Sequence, residues 1–150
     1  MIEVTPLFQI AAEVGEVRSL GSAPAGERRV VPILGGSFAG SGLEGTVLAG
    51  GADWQWRWAD GTLAIDAHYA LRERRGALIE VRSQGLRAGP PEVLDRLARG
   101  EEVPAVEYYF RTVLRFTTAD APLGWMNRII GIATAARHAR HVELDVYRLL

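Results

Sequence analysis

Hydrophobic and polar residues alternate with a period of two along most of this chain. Phe8, Ile10, Ala12 and Val14 share one parity, and so do Leu63, Ile65, Ala67, Tyr69 and Leu71. Val106, Tyr108, Phe110, Thr112, Leu114 and Phe116 carry the pattern over a longer stretch. Successive side chains of a strand point to opposite faces, so this alternation predicts half-buried β-strands. Runs near 27–34, 43–49, 76–84, 125–134 and 140–149 complete the set. The total is about eight or nine strands, a count that suits a closed barrel. Asp60-Gly61 predicts a tight hairpin turn. One segment breaks the rhythm: residues 91–99 begin after Pro90, carry Val93, Leu94 and Leu97 at helical spacing, and end at Gly100. That pattern predicts one short α-helix.

The stretch Val31 to Trp58 holds two Gly-Gly pairs, each following an apolar run, and then three tryptophans at alternate positions. Glycine pairs inside strands mark sharp bends or bulges. Trp54, Trp56 and Trp58 have one parity, and Asp53, Gln55 and Arg57 the other. If the tryptophans pack outward, Asp53 points into the barrel, where desolvation raises a carboxyl pKa toward a useful acid–base value. The competing role for Asp53 is to cap the preceding Gly-Gly turn. Burial in an apolar core is the ordinary fate of the aromatic residues.

Composition narrows the chemistry. A chain of 150 residues fits one domain, 1–150, with an ordinary globular composition of 48% hydrophobic and 23% charged residues. A formal net charge of −1 provides no global field for nucleic acid or an anionic membrane. There is no Cys, and all 17 basic residues are Arg, so thiolate chemistry and lysine Schiff bases are excluded. The amino terminus lacks the succession of a signal peptide, and no apolar run reaches membrane-spanning length. A cytoplasmic location is the resulting expectation.

Short motifs add little. Gly40-Ser41-Gly42-Leu43-Glu44-Gly45 matches GxGxxG, but no helix pattern follows it, so it reads as a turn and not as a nucleotide site. Gly35-Gly36-Ser37 lacks the helix that a nucleophile elbow requires. His138 and His141 offer two metal nitrogens, with no third ligand evident, and no metal is expected.

The blocks GERRVVPILGGSFAG, GTVLAGGADWQW, DGTLAIDAHYAL, GALIEVRSQGLRAGPPEVLDRLARGE, EYYFRTVLRF and WMNRIIGIAT, in this order and spacing, resemble domain-of-unknown-function family 3237. The resemblance implies an antiparallel calycin-like or lipocalin-like β-barrel, in agreement with the strand count. Its motif positions fall here on Arg28 or Arg29, Asp53, Trp54, Asp66, Tyr109, Arg111, Trp125 and Asn127. Two positions depart from the family: Arg74-Arg75-Gly76 replaces an Asp-Asp-Gly turn, and Glu80 stands where an aromatic is common. The second bears on pocket shape.

These readings combine into an all-β barrel that binds a small hydrophobic or aromatic molecule in a cavity lined by Trp and Tyr. The leading function is cofactor-independent lyase, isomerase or cyclase chemistry. Asp53 or Asp66 transfers the proton and Arg111 clamps an anion. Trp54, His68, Tyr108, Tyr109, Trp125 and Asn127 are the candidate binding residues. A non-catalytic carrier or sensor is the alternative, and a filled oligomerisation module the third reading. Bulky residues of both parities on the strand 105–117 lead to the expectation of a homodimer.

Overall fold

The computed structural model describes residues 1–150 and contains ten strands and one α-helix. The strands are β1 (Val4–Val14), β2 (Arg18–Ala23), β3 (Gly26–Gly40), β4 (Leu43–Val47) and β5 (Gly51–Arg57). They continue as β6 (Leu63–Glu73), β7 (Leu78–Ala88), β8 (Tyr109–Thr117), β9 (Gly131–Arg137) and β10 (His141–Leu149). The helix α1 (Pro91–Ala98) lies between β7 and β8.

All pairings are antiparallel, and the sheet closes on itself. Hydrogen bonds run β1–β10–β9–β8–β7–β6, then through β4 and β5 to β3, and β3 returns to β1. β4 and β5 pair with successive parts of β6, so together they form one stave of an eight-stave barrel. β2 lies beside the first half of β3. The strand count exceeds the expected eight or nine because one stave is split and because β2 is too short and polar to show alternation.

β3 holds the closure together. Its residues 27–33 pair with β5, and residues 33–39 pair with β1. Gly35 and Gly36 lie inside the second pairing, next to the register shift between the Val14–Ile33 and Glu13–Gly35 pairs. Gly36 has φ 133°, and a Cβ there would meet the carbonyl oxygen of Ala11 on the facing strand. Only glycine allows this approach.

The barrel is filled at one end. Phe8 meets Phe38 and Phe116 edge-to-face, with centroids 5.4 and 5.8 Å apart, and Leu71, Ile79, Leu114 and Met126 are fully buried around them. α1 covers the other end. Pro91 opens it, Val93, Leu94 and Leu97 face inward, and Arg96 stands in its last turn.

Two predicted strand segments are 3₁₀ turns instead. Residues 105–107 form a turn after Pro104 with Val106 exposed, so the long strand starts only at Tyr109. Residues 121–128 also form 3₁₀ structure, because Pro122 stands at its start and the Asp120 carboxylate accepts from the Leu123 N–H at 3.2 Å. This turn carries Trp125 and Asn127. Asn127 accepts from the Thr118 N–H at 2.8 Å and donates to the Thr118 carbonyl at 3.0 Å, which makes it a loop clamp. Trp125 packs against the core with the Arg148 guanidinium 5.8 Å from its ring centre.

Two substitutions test this account by urea unfolding. Gly36→Ala is expected to lose about 2–4 kcal/mol through strain and clash with Ala11. Asn127→Ala is expected to lose about 1–3 kcal/mol because it leaves the Thr118 backbone groups unpaired.

Candidate functional site

Between the packed end and α1 the barrel is hollow, with a cavity of about 180 Å3. Its wall follows strand parity. β3 contributes Arg29, Val31 and Ile33; β5 contributes Asp53 and Gln55; β6 contributes Ile65, Ala67 and Tyr69. Across the barrel lie Ser83 and Arg87 of β7, Phe110 and Thr112 of β8, Arg137 of β9, and Val142 and Leu144 of β10. Leu97 and Ala98 of α1 close the end. The wall contains no Trp, contrary to expectation: Trp54 and Trp58 are exposed on the outer face, and Tyr69 and Phe110 are the aromatics inside. The outward tryptophans follow from the buried Gln55, whose inward parity fixes theirs.

Asp53 is the only carboxylate on this wall. Its Oδ2 accepts from Gln55 Nε2 at 2.7 Å, and its Oδ1 accepts from the Asp66 backbone N–H at 2.9 Å. Burial pushes its pKa up, and the bonds from Gln55 and Asp66 and the charge of Arg87 act against the rise. Burial together with the Asp53 charge holds the Tyr69 hydroxyl in its protonated form, well above the ordinary phenol range.

Three guanidiniums share the cavity with this carboxyl. Burial, then the charges of Arg137 and Arg29, draw Arg87 down to about 10, so it stays charged at neutral pH. Arg29 and Arg137 are lowered as well, mainly by burial. Seven buried polar atoms of the cavity wall have no hydrogen-bond partner: Arg29 Nε, Gln55 Oε1, Tyr69 Oη, Ser83 Oγ, Arg87 Nε, Thr112 Oγ1 and Arg137 Nη1. Unpaired buried polar groups are rare in native proteins, so a cluster of them around a cavity calls for hydrogen-bond partners inside it, from water or from a ligand.

Of the nine residues singled out in the sequence, the structure places Asp53 in the cavity wall and Tyr108 just behind it. The Tyr108 hydroxyl accepts from the Arg137 backbone N–H at 2.8 Å. The others lie elsewhere. Asp66 and His68 have the outward parity of β6: Asp66 takes a two-point contact from Arg82 at 3.1 Å, and His68 pairs with Glu80 at 2.6 Å. Arg111 is also outside, donating to the Phe110 carbonyl at 2.9 Å and standing over the exposed ring of Tyr109. Arg87, on the cavity wall, is the positive charge that acts on Asp53. Trp54 lies under Arg28, outside. Glu80 faces outward, so its departure from the family pattern leaves the cavity unchanged.

Arg87, Arg137, Tyr69, Gln55, Ser83 and Thr112 were not singled out, yet parity marks them. Arg87 continues the buried run Ile79, Val81, Ser83, and Arg137 continues Gly131, Ala133, Ala135. A charged residue on the buried parity of a strand is the signal that finds them.

A second cluster lies outside the barrel at the β9–β10 hairpin. His138 and His141 stack at 4.4 Å, and Glu143 supplies the third ligand-type group that the sequence did not make evident. His138 Nδ1 pairs with Glu102 at 2.8 Å, and His141 Nε2 lies 3.2 Å from Glu143. Elsewhere, Gly40-Ser41-Gly42 is the turn between β3 and β4, with Ser41 at φ 50°. No helix is long and apolar enough to cross a membrane.

Comparison with known proteins gives the same architecture. A UPF0311 protein of Rhodopseudomonas palustris is 40% identical over 149 residues, covering 99% of this chain and 97% of the relative. The crystal structure of that bacterium's conserved protein of unknown function RPA1785 superposes with a TM-score of 0.95 at 39% identity, covering 100% of this chain and 98% of the other. A β-barrel-like protein of Acinetobacter baumannii gives a TM-score of 0.88 at 36% identity, with 100% and 97% covered. An enzyme from Penicillium herquei shares the fold, with a TM-score of 0.73 at 22% identity and 99% and 95% covered. The model of the family "Protein of unknown function (DUF3237)" matches residues 2–149, and the chain belongs to that family.

Proposed function

We propose that this protein takes a small hydrophobic or aromatic molecule into the barrel and moves a proton on it with Asp53. The chemistry is that of a cofactor-independent lyase, isomerase or cyclase. The observation that carries this reading is one raised carboxyl at the wall of a mostly apolar cavity, held by Gln55 and the Asp66 N–H. A carboxyl whose pKa is raised toward neutrality is both a better base when ionised and available as an acid. Tyr69, Ser83 and Thr112 supply hydroxyls to position the substrate or stabilise developing charge.

The test is proton exchange. The protein is incubated in D2O with a panel of cyclic 1,3-dicarbonyl and phenolic compounds, and loss of C–H signal is followed by NMR. The native chain is expected to exceed the buffer rate, and Asp53→Asn to lose about 10²–10⁴-fold of that excess. Glu80→Gln, altered only on the outer face, is expected to exchange at the native rate. Binding with no exchange would leave a carrier or sensor.

The raised carboxyl also predicts a pH dependence of stability. The stability contributed by the protonated Asp53 is complete below the unfolded value of about 3.9 and is lost as pH rises through the raised folded value. The unfolding free energy of the native chain, minus that of Asp53→Asn, is therefore expected to fall as pH rises above about 4. A flat difference in urea titrations across that range would contradict the raised pKa.

A further inference from the structure

The cavity contains three arginines and one carboxyl, and this imbalance identifies what is missing. Arg29, Arg87 and Arg137 come from three separate strands, and none of them sits in an ion pair, whereas Arg74, Arg75, Arg82, Arg96 and Arg99 all do. Glu27 lies near Arg29, but its carboxylate is engaged by Ser19 at 2.7 Å. Each of the three guanidiniums keeps at least one buried nitrogen without an acceptor. Arg87 is buried and Arg29 and Arg137 are half-buried; gathering these like charges in one wall with donors unpaired is costly, and the structure holds them together regardless. Guanidiniums match a carboxylate in shape and bind it through paired N–H···O bonds.

The rest of the wall limits the ligand's body. Val31, Ile33, Ile65, Phe110 and Leu144 are apolar, and the volume is about 180 Å3. An engineered apolar cavity of about 150 Å3 holds benzene. There is room for one six-membered ring and its acidic group, and too little for a nucleotide or a fused polycycle.

We infer that the ligand is a small ring-bearing carboxylate, its acid group held among Arg29, Arg87 and Arg137 and its ring against Phe110 and Ile65. This rests on the cavity being the ligand site of the function proposed above, but it does not require that Asp53 transfers a proton. In that arrangement the carboxylate accepts from the unpaired guanidinium nitrogens, and the hydroxyls of Tyr69 and Ser83 face the ring substituents.

Calorimetric titration with benzoate, benzamide and inorganic phosphate tests the inference on the full chain. Benzoate and benzamide have nearly the same size and differ in charge. Benzoate is expected to bind at least tenfold more tightly than benzamide, and Arg87→Met to abolish that preference. Arg87→Met removes a charge that repels its two neighbours, so without ligand its unfolding midpoint is expected to be no lower than the native one. Asp53→Asn is expected to bind benzoate at least as tightly as the native chain, which separates loss of anion binding from failure of the proton-transfer reading. Should Arg87→Met not fold, Arg29→Met serves in its place, and the benzoate–benzamide comparison on the native chain stands alone. Equal affinity for benzoate and benzamide, no binding of either at millimolar concentration, or tighter binding of phosphate than of benzoate would each overturn the inference.

Discussion

The pairing of β3 with β1 is the contact on which the rest of this structure depends. Until those backbone hydrogen bonds form, the sheet has two edges and no inside. Once they form, the pleat assigns every second residue of each strand to a common interior. The closure needs a strand that is paired along both edges: β3 meets β5 and then β4 on one side and β1 on the other, and it can lie against β1 because Gly36 lets its backbone approach Ala11. The position of the cavity, the inward aim of the arginines and the outward placement of the tryptophans all follow from that one join.

Closure creates an interior whose two halves are used differently. Around Phe8, Phe38 and Phe116 the side chains are large and apolar, and that half is a core of the ordinary kind. Toward α1 the inward positions become Ala12, Ala67 and Ser83, too small to meet in the middle, and polar groups replace the missing volume. Deleting volume from a core costs stability, and so does leaving polar atoms without partners. The packed half must therefore supply the folding free energy that the hollow half gives up. Such a division is expected where a site is held at the expense of stability.

The architecture was legible in the sequence because alternation and turn residues act locally. The hairpin at Asp60-Gly61 and the helix between Pro90 and Gly100 depend on a few neighbouring residues, and the structure contains both. The segments 105–107 and 125–128 failed for the same reason in reverse. Their apolar residues fit a strand period, but Pro104, Pro122 and the Asp120 cap impose turns that override it. The site was less legible. Asp53 was traceable because the tryptophan run sets its parity beside it. Asp66, His68 and Arg111 attract attention as charged residues within strands, yet they have the parity of exposed neighbours. Arg87 and Arg137 have the parity of buried ones. Chemical type drew attention to the first group, while period-two phase identifies the second. Phase becomes decisive only once it is known which face the closed sheet turns inward.

The convergence of the three arginines is a property of register more than of any local motif. Arg29, Arg87 and Arg137 lie 58 and 50 residues apart in sequence, on staves that do not pair with one another. Each is held by an antiparallel ladder that fixes its height and its face, so the backbone, not side-chain contacts, preorganises the group. Changes on the outer face, such as the Glu80 and Arg74-Arg75 departures, leave this arrangement alone because they alter neither phase nor ladder. A one-residue slip of β7 would do the opposite. It would turn Ser83 and Arg87 out to solvent and bring Arg82 and Gln84 into the barrel, emptying the cavity of one guanidinium and burying another at a different height. The extended apolar run Ile79, Val81 against Leu71 and Tyr69 prevents that slip, so the same residues that pack the closed half keep the charged half in register.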